Sequence, residues 1–276
     1  PVKQTPPPKD LCLSPPQSPR ATSGRLKGAI DKSSKPGISP KSRATPQQTA
    51  RSLRLGDEVP DFIAAATGMP GHNRLMHWHS WIEGSWAMLC SHPADYTPVC
   101  TTELGRLADL LPEFLKRGVK VAAVSCNDVE THEGWIKDIT ATAFCQSGQV
   151  DYPIIADSSR AIAEQYGMID PDERSAEGLP MTCRAVFIIG PDKRLKLSLL
   201  YPATTGRNFT EILRAIDSLQ LTAKHNVATP VDWKRKDKCM VVPTLTDEEA
   251  IRKGLYFEVI KVPSNKRYIR LTADPS

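Results

Sequence analysis

Short apolar runs alternate with amphipathic stretches from about Leu55 onward. Two runs, Trp86–Cys90 and Val119–Ser125, are almost entirely apolar and predict buried strands. Between them, leucines and a phenylalanine recur at three- and four-residue spacing and predict a helix, with Pro112 kinking it and Gly118 following its C-terminus. The first part of the folded chain is therefore predicted to be β-α-β.

The same alternation continues beyond the second buried run. Helices are predicted over 129–140, 159–166 and 208–219, and strands over 152–156, 184–189 and 195–201. A Gly-Pro-Asp-Lys turn joins the last two strands, which indicates a β-hairpin rather than a crossover. The order β-α-β-α-β-α-β-β-α predicts an α/β fold with a mixed sheet sandwiched by helices.

The C-terminal end has a different pattern. Thr246-Asp-Glu-Glu249 is a capping box that opens a short helix. Strands predicted over 256–262 and 267–272 flank a Pro-Ser-Asn-Lys turn and form a second hairpin. So small an α+β extension is not stable alone. We therefore expect residues 221–276 to pack on the main domain, residues 55–220, or on a second subunit.

The N-terminal segment, residues 1–54, differs from the rest in composition. It holds ten of the 24 prolines and eleven Lys/Arg against two acidic residues, whereas the whole chain has a net charge of +5. It shows no apolar periodicity, so it is predicted to be disordered. A solvated tail, an organellar targeting segment and a set of Ser-Pro or Thr-Pro phosphorylation sites all fit this composition. No aromatic residue interleaves the charges, so no specific nucleic-acid partner is expected.

The overall composition excludes several classes of protein. Hydrophobic residues make up 40% and charged residues 24%, which is typical of a globular protein. No run of 18 apolar residues exists, which excludes a membrane-spanning helix in this sequence. The seven cysteines never show C-x-x-C spacing, which argues against a secreted disulfide scaffold and a paired-cysteine zinc site. We expect a reducing compartment, cytoplasmic or mitochondrial.

The chemistry concentrates in the segment SHPADYTPVC, which runs from Ser91 to Cys100 and joins the first buried run to the following helix. It places Cys100 in the first helical turn, where free N–H groups and the helix dipole stabilise a thiolate. Thr97 can reach the sulfur or a substrate beside it, and Pro93 and Pro98 restrict the loop. The spacing alone leaves two interpretations open, a reactive cysteine or a cysteine buried near a helix cap.

The pattern Pro93-x-x-x-Thr97-x-x-Cys100 resembles the active-site signature of peroxiredoxins. Further strings in the expected order resemble the one-cysteine, peroxiredoxin 6 type of the AhpC/TSA family: TPVCTTELG at 97–105, GPDK at 190–193, YPATTGRN at 201–208, LQLT at 219–222 and ATPVDW at 228–233. The resemblance covers residues 53–274. It implies a thioredoxin-like fold with a C-terminal dimerisation extension, and hence a homodimer.

The resemblance also implies the activity. Cys100 would be the peroxidatic cysteine, whose thiolate attacks hydrogen peroxide or an organic hydroperoxide and becomes a sulfenic acid. By the same match, Thr97 and Arg184 complete the peroxide site. Arg184 always carries its charge and can donate to the peroxide, while Thr97 can position it in line with the sulfur. The expected role is antioxidant, in cell redox homeostasis.

Four more residues are implied as supporting members of the active site. Glu103 and Arg207 match positions that orient the reacting groups, and His92 and Pro93 match positions in the loop beside them. Preorganised charges and donors of this kind dominate many active sites.

The reductant is implied only in outline. The chain lacks the C-terminal Val-Cys-Pro of typical two-cysteine peroxiredoxins, which favours reduction by an external thiol such as glutathione or thioredoxin, with no bound cofactor. Cys239, in the C-terminal extension, is the alternative resolving cysteine. A different class of function also stays open, a redox sensor or holdase in which oxidation of Cys100 controls assembly.

The family further implies a phospholipase A2 activity, and with it a phospholipid surface as a partner. The matching positions are His79, Ser85 and Asp192. The Gly-Asp-Ser-Trp-Gly of the family reads here as Glu83-Gly-Ser-Trp-Ala87, which replaces both outer glycines of the strained serine turn. The changed motif weakens this prediction.

His77-x-His79 would lie on one face of a strand and could suggest a metal site. A carboxylate or cysteine ligand at supporting spacing is missing, so solvated loop histidines are the simpler interpretation and no metal is expected.

Overall fold

The computed structural model of the protein describes residues 53–72 and 74–276. Except for its last two residues, the predicted disordered segment 1–54 lies outside this range. The strands are β1 (Ile63–Ala65), β2 (Leu75–His77), β3 (Trp86–Ser91), β4 (Val119–Ser125), β5 (Ile154–Ala156), β6 (Ile169–Arg174), β7 (Pro180–Thr182), β8 (Arg184–Ile189), β9 (Leu195–Tyr201), β10 (Val227–Ala228), β11 (Cys239–Val241), β12 (Phe257–Val259) and β13 (Arg270–Thr272). The helices are α1 (Trp78–Trp81), α2 (Pro98–Lys116), α3 (Val129–Ala141), α4 (Ala161–Tyr166), α5 (Phe209–Lys224) and α6 (Asp247–Arg252).

The central sheet has the strand order β5-β4-β3-β8-β9. Strands β3, β4 and β5 are parallel, whereas β8 runs antiparallel to both β3 and β9. This confirms the predicted mixed sheet and the predicted β8–β9 hairpin. The arrangement places the end of β3 between the end of β4 and the start of β8.

Both faces of the sheet are covered, which explains why β3 and β4 are apolar along almost their whole length. Met88 and Cys90 point into a core cluster shared with α2, α3 and α5. Their neighbours Ala87 and Leu89 point into a second cluster on the opposite face, shared with α1 and α4. Successive side chains of a strand alternate between faces, so a strand buried on both faces needs apolar residues at every position.

The start of α4 differs from its prediction. The helix was expected over 159–166, but it begins at Ala161 because Arg160 has φ of 65° and cannot be helical. The Asp157 carboxylate accepts a hydrogen bond from the Ala163 N–H at 2.7 Å and so satisfies one of the free donors of the first turn.

Several short strands were not predicted from the sequence. The pairs β1–β2 and β6–β7 form two separate two-stranded sheets, and β10 and β11 join the C-terminal sheet. Each has two to six residues. A run this short carries little periodicity of its own, so its pairing depends on the tertiary structure.

The C-terminal extension forms an antiparallel sheet of order β10-β11-β13-β12 with α6 beside it. The predicted capping box is present, since Thr246 Oγ1 accepts from the Glu249 N–H at 3.2 Å and the Glu249 carboxylate accepts from the Thr246 N–H at 2.9 Å. Leu221, Trp233 and Cys239 belong to its core. The predicted β12–β13 hairpin is also present.

Gly105 should be intolerant of a side chain. It lies in α2, and a Cβ there would come within 2.7 Å of the Phe144 backbone oxygen. We expect Gly105→Ala to lower the free energy of unfolding by about 1–3 kcal/mol through overpacking, measured by denaturant titration. Gly134→Ala in α3 is the matched control, because its Cβ would meet only the hydroxyl of the exposed Tyr96 side chain, which can move. Equal stability of the two variants would contradict the packing argument.

Candidate active site

Cys100 lies at the third position of α2 and is fully buried. Thr97 is the N-cap residue with an extended backbone, and Pro98 occupies the first helical position, where its missing N–H costs nothing. The sulfur is thus held in the turn where backbone N–H groups lack helical partners and the helix dipole favours negative charge. Cys100 therefore lies in the first turn of α2, as predicted.

The Thr97 hydroxyl does not donate to the Cys100 sulfur, which was one of its two expected contacts. It donates its proton to the backbone oxygen of Ala94 at 2.9 Å rather than to the Cys100 sulfur. Its lone pairs therefore remain available to accept a hydrogen bond. Thr97 is half-buried, so a small molecule beside the sulfur could donate an O–H to it.

Arg184 is the first residue of β8, and its guanidinium contacts the cysteine directly. Nη1 lies 3.3 Å from the Cys100 sulfur and 2.8 Å from the Glu103 carboxylate. Nε and Nη2 both donate to the backbone oxygen of Ala203, at 2.8 and 2.6 Å. Three anchors hold the fork of the guanidinium in one orientation beside the sulfur.

Glu103 lies one helical turn after Cys100 and binds two arginines. Its carboxylate accepts from Arg184 and, at 3.0 and 2.8 Å, from Arg207, whose backbone N–H also donates at 2.6 Å. Burial favours a higher pKa of Glu103, but the charge and hydrogen bonds of Arg207, with the charge of Arg184, outweigh it and hold the pKa below its ordinary value.

Arg207 connects this network to the central sheet through hydrogen bonds. Its Nη1 donates to the backbone oxygens of Ser91 in β3 and Ala185 in β8, at 2.9 and 2.8 Å, and its side chain is fully buried. Two buried guanidinium groups therefore face one carboxylate. This leaves a net positive charge beside the Cys100 sulfur.

The remaining residues of the loop are buried beside this network. Pro93 is buried in the segment between β3 and α2. His92 is also buried, and its Nε2 lies 2.8 Å from one oxygen of Asp95, whose other oxygen lies 2.6 Å from Nδ1 of His132. We call these three side chains the His–Asp–His cluster.

Sequence reasoning missed Asp95 and His132. Asp95 lies in the loop between β3 and α2 that the sequence indicated as the reactive segment, whereas His132 is a helical histidine that no sequence motif marks.

The ionisation of the cluster follows from burial and from its hydrogen bonds. Burial lowers the pKa of His92 against the attraction of Asp95, whereas the hydrogen bonds from His132 and His92 outweigh burial and lower the pKa of Asp95. The ligand atoms of the three side chains all lie within 4.8 Å of one another. Both histidines are nevertheless hydrogen-bonded to the carboxylate, at 2.8 and 2.6 Å, which is closer than the spacing of about 3.3 Å between ligand atoms around a tetrahedral zinc ion.

The other described cysteines are unpaired. Cys90 is buried, and burial raises its pKa to about 11. Cys239 is fully buried in β11, in the core of the C-terminal extension and not in the core cluster that contains Cys100. Burial, with smaller contributions from nearby carboxylates, raises the pKa of Cys239, so its thiol is neither exposed nor activated.

The lipase candidates do not bond to one another. The Ser85 hydroxyl donates to the backbone oxygen of Glu83 at 3.4 Å, and Nε2 of His79 lies 2.9 Å from the backbone oxygen of Val59. The Asp192 carboxylate accepts from the lysine four residues further on, at 2.6 Å. A serine nucleophile needs its proton directed at the histidine. These contacts do not support a lipase triad.

The pair His77 and His79 is also divided. His77 ends β2, whereas His79 lies in α1 and reaches Val59, so the two do not share one strand face.

None of the helices among the described residues is long and apolar enough to cross a membrane.

A cavity of about 440 Å³ adjoins the network. Glu103 and Arg207 contribute to its wall, together with the exposed Arg106 and the aromatic side chains Phe144 and Phe209. A cavity of about 690 Å³ lies against β1 and the starts of α3 and α4, and none of the residues around Cys100 lines it. Burial raises the pKa of Asp157, which lines that second cavity, but its carboxylate is used to cap α4.

The comparisons with known proteins agree with this geometry. The AhpC/TSA family model matches residues 55–198, and the model of the C-terminal domain of 1-Cys peroxiredoxin matches residues 218–258. Peroxiredoxin-6 of Gallus gallus is 55% identical over 227 residues, 81% of this chain and 98% of the relative.

Two solved structures are similar over most of their length. One is a cysteine-to-serine mutant of the peroxiredoxin 6 of Arenicola marina, with 53% identity and a TM-score of 0.75 over 81% of this chain and 99% of that one. The other is a yeast mitochondrial 1-Cys peroxiredoxin, with 39% identity and a TM-score of 0.69 over 80% and 99%. That structure describes thiol resolution through glutathione and thioredoxin systems.

Proposed function

Since the chain belongs to the AhpC/TSA family of peroxiredoxins, in its one-cysteine type, it is a thiol-dependent peroxidase, and we propose that Cys100 is the residue that attacks the peroxide. The contact between Arg184 Nη1 and the Cys100 sulfur at 3.3 Å carries this proposal. Among the described cysteines, it places a permanent positive charge beside the one that lies in the first turn of a helix. The predicted peroxide site of Cys100, Thr97 and Arg184 is the arrangement that this contact supports.

The reaction transfers one oxygen to sulfur. The Cys100 thiolate attacks the hydroxyl oxygen of a hydroperoxide, the S–O bond forms as the O–O bond breaks, and the electron pair leaves with the second oxygen. That oxygen takes up a proton and departs as water or an alcohol. Cysteine is oxidised to sulfenic acid and the peroxide is reduced. Hydrogen peroxide and organic hydroperoxides are the proposed substrates.

Arg184 and Thr97 act on the peroxide from two sides. The guanidinium of Arg184 donates to the oxygens on which charge develops, and its three anchors mean that little reorganisation is needed. The Thr97 hydroxyl, whose proton is given to Ala94, accepts the O–H of the peroxide and orients the O–O bond toward the sulfur.

Glu103 and Arg207 are positioning residues in this proposal. Glu103 holds Nη1 of Arg184 through one oxygen, and Arg207 holds Glu103 while it is itself bonded to β3 and β8. His92 and Pro93 belong to the loop that carries Thr97, and we place them in the same supporting role.

A second thiol must then reduce the sulfenic acid, and we propose that it is external. Two donor thiols return Cys100 to its thiol form, with release of water and a donor disulfide. The burial of Cys239 supports an external donor, because a resolving thiol must reach the sulfenic acid. Glutathione and thioredoxin are the proposed donors, in line with the yeast mitochondrial relative.

Assembly and location are proposed from the family and from the sequence. We propose a homodimer formed with the C-terminal extension, residues 221–276, beside the main domain, residues 55–220. The proposed compartment is cytoplasmic or mitochondrial, with the basic segment 1–54 as a tail or targeting segment; a mitochondrial relative is consistent with this. We propose no role for a phospholipid surface, because the contacts of His79, Ser85 and Asp192 do not support a lipase triad.

Replacing Arg184 by lysine tests the proposed site. Lysine keeps the charge but cannot contact the sulfur, Glu103 and Ala203 at once. We expect the second-order rate constant for oxidation of Cys100 by hydrogen peroxide, measured by stopped flow, to fall about a hundredfold. Arg194→Lys, in the exposed β8–β9 turn, is the control and should react at the wild-type rate. A wild-type rate in Arg184→Lys would remove Arg184 from the mechanism.

A further inference from the structure

We infer that the His–Asp–His cluster is a net-neutral unit in which His132 is an imidazolium ion and His92 carries its single ring proton on Nε2. We further infer that Asp95 and His132 are positioning residues of the peroxidase site, an inference that rests on the proposed function. The argument starts from the protons that the observed hydrogen bonds require.

Three hydrogen bonds of the cluster need three protons. Nε2 of His132 lies 3.2 Å from the backbone oxygen of Ile155, which can only accept, so Nε2 must carry a proton. Nδ1 of His132 lies 2.6 Å from one oxygen of Asp95, and Nε2 of His92 lies 2.8 Å from the other. Two neutral imidazoles and a carboxylate supply two protons, one fewer than these contacts use.

The third proton belongs on His132. An imidazole nitrogen binds a proton more tightly than a carboxylate oxygen does. The hydrogen bonds from His132 and His92 also outweigh burial and hold the pKa of Asp95 below its ordinary value, so its carboxyl group is ionised and can only accept. Nδ1 of His132 must then be the donor, which makes that ring an imidazolium. An imidazolium beside a carboxylate leaves the buried cluster without net charge, which costs less than an isolated buried anion.

Other groups also face the cluster. Asp128, the N-cap of α3, interacts electrostatically with both Asp95 and His132, and Arg207 interacts with His92. The Ser125 hydroxyl lies 3.2 Å from the Asn127 side-chain oxygen and 3.5 Å from Asp95, and the Asp95 N–H donates to the same Asn127 oxygen at 3.1 Å. The Asp95 carboxylate lies 2.6 Å from Nδ1 of His132, whereas the charge of Arg207 contributes to lowering the pKa of His92.

The tautomer of His92 follows from the same count. Its Nε2 proton points to Asp95, so Nδ1 carries a lone pair, and this buried nitrogen has no hydrogen-bond partner among the described residues. The ring lies 5.1 Å from that of Trp135, whose Nε1 donates at 3.1 Å to the Thr101 hydroxyl, next to Cys100. The fixed tautomer therefore presents an unused acceptor in the core that surrounds the site.

The cluster joins the reactive loop to two other elements. Asp95 lies two residues before Thr97, His132 belongs to α3, and Ile155 belongs to β5. The loop that holds Thr97 is thus fixed on the end of the sheet by a charged hydrogen bond rather than by backbone contacts alone. Losing the charge of His132 would loosen the loop and with it the position of Thr97.

Nitrogen NMR of the reduced full-length protein, labelled with ¹⁵N-histidine, tests the proton count at pH 7. We expect an imidazole with both ring nitrogens protonated, which is lost in His132→Gln, and a bare Nδ1 on His92, whose signals are assigned by their loss in His92→Gln. A single protonated nitrogen on His132 would overturn the inference. Should His132→Gln fail to fold, Asp95→Asn serves instead, and there the imidazolium signature of His132 should disappear.

The positioning role is tested by the oxidation rate of Cys100. In His132→Gln, glutamine cannot supply the charge, so we expect the rate with hydrogen peroxide to fall between about 10- and 100-fold, the cost of a displacement of up to 1 Å. The His92 nitrogen signals should shift in the same variant. The exposed His72→Gln is the control and should leave both unchanged.

The outcomes separate the two levels of the proposal. A wild-type rate and unchanged His92 signals in His132→Gln would overturn the positioning role while the peroxidase assignment stands. Turnover that survives Cys100→Ser would overturn the proposed function, yet the nitrogen pattern of the cluster would be unaffected, because it depends on the hydrogen bonds alone.

Discussion

Replacing Cys100 by serine is expected to abolish peroxide consumption, because no other described thiol combines a helix N-terminus with a guanidinium contact. Serine has nearly the same shape but its hydroxyl stays protonated at neutral pH and is a poor nucleophile toward oxygen. We expect a loss of at least about a thousandfold in steady-state consumption of hydrogen peroxide with glutathione or thioredoxin systems as donors. Full activity in Cys100→Ser would contradict the assignment.

Cys239→Ser is the matched control for that experiment. The thiol of Cys239 is buried in the C-terminal core, so we expect turnover with either donor system to continue at the wild-type rate. A loss of thioredoxin-supported cycling in this variant would show that Cys239 resolves the sulfenic acid after all. The wild type itself distinguishes an enzyme from a sensor, since a sensor would be oxidised once and would not turn over.

The second large effect is expected at Glu103. Glu103→Gln keeps the shape of the side chain but leaves the guanidinium groups of Arg184 and Arg207 buried without a counter-charge. Breaking a buried ion pair in this way costs about 3–5 kcal/mol of unfolding free energy. The rate of Cys100 oxidation should fall as well, because Arg184 loses the anchor that orients Nη1. Denaturant unfolding and stopped-flow oxidation measure the two effects.

Glu113→Gln is the control on the same helix. Its carboxylate pairs with Lys116 and Arg117 at the surface, where ion pairs contribute little, so stability should hardly change. A comparable loss in both variants would show that the negative charge of α2, and not the buried network, decides the stability.

The pH dependence of stability should differ between wild type and Glu103→Gln. The pKa of Glu103 in the folded protein lies below its ordinary value of 4.5, so the charged form is stabilised by folding. Its contribution is complete above that ordinary value and is lost as the pH falls through the lower folded-state pKa. The stability difference between the two proteins should therefore shrink on acidification below about pH 4.5, and a constant difference would contradict this linkage.

Most helices and strands of the fold could be predicted from the local pattern of apolar and polar residues. The β8 and β9 strands and the capping box of α6 lie where periodicity and capping rules place them. The start of α4 was wrong by two residues because the left-handed backbone of Arg160 leaves no trace in the apolar pattern. The pairing of β1 with β2 was missed because each strand has only three residues.

The sequence by itself determined the alternation of strands and helices and the place of Cys100 at the start of α2, because both depend on residues within about one turn of each other. The family resemblance implied Arg184, Glu103 and Arg207 beside that sulfur, but only the tertiary structure shows the contacts that these charges make there. Arg184 lies 84 residues from Cys100, Arg207 lies 104 from Glu103, and His132 lies 37 from Asp95. These contacts depend on the sheet order, which sets β8 beside β3 and α3 against the reactive loop. Local periodicity carries no information about that order, so the charge balance around Cys100 had to be seen in the folded chain.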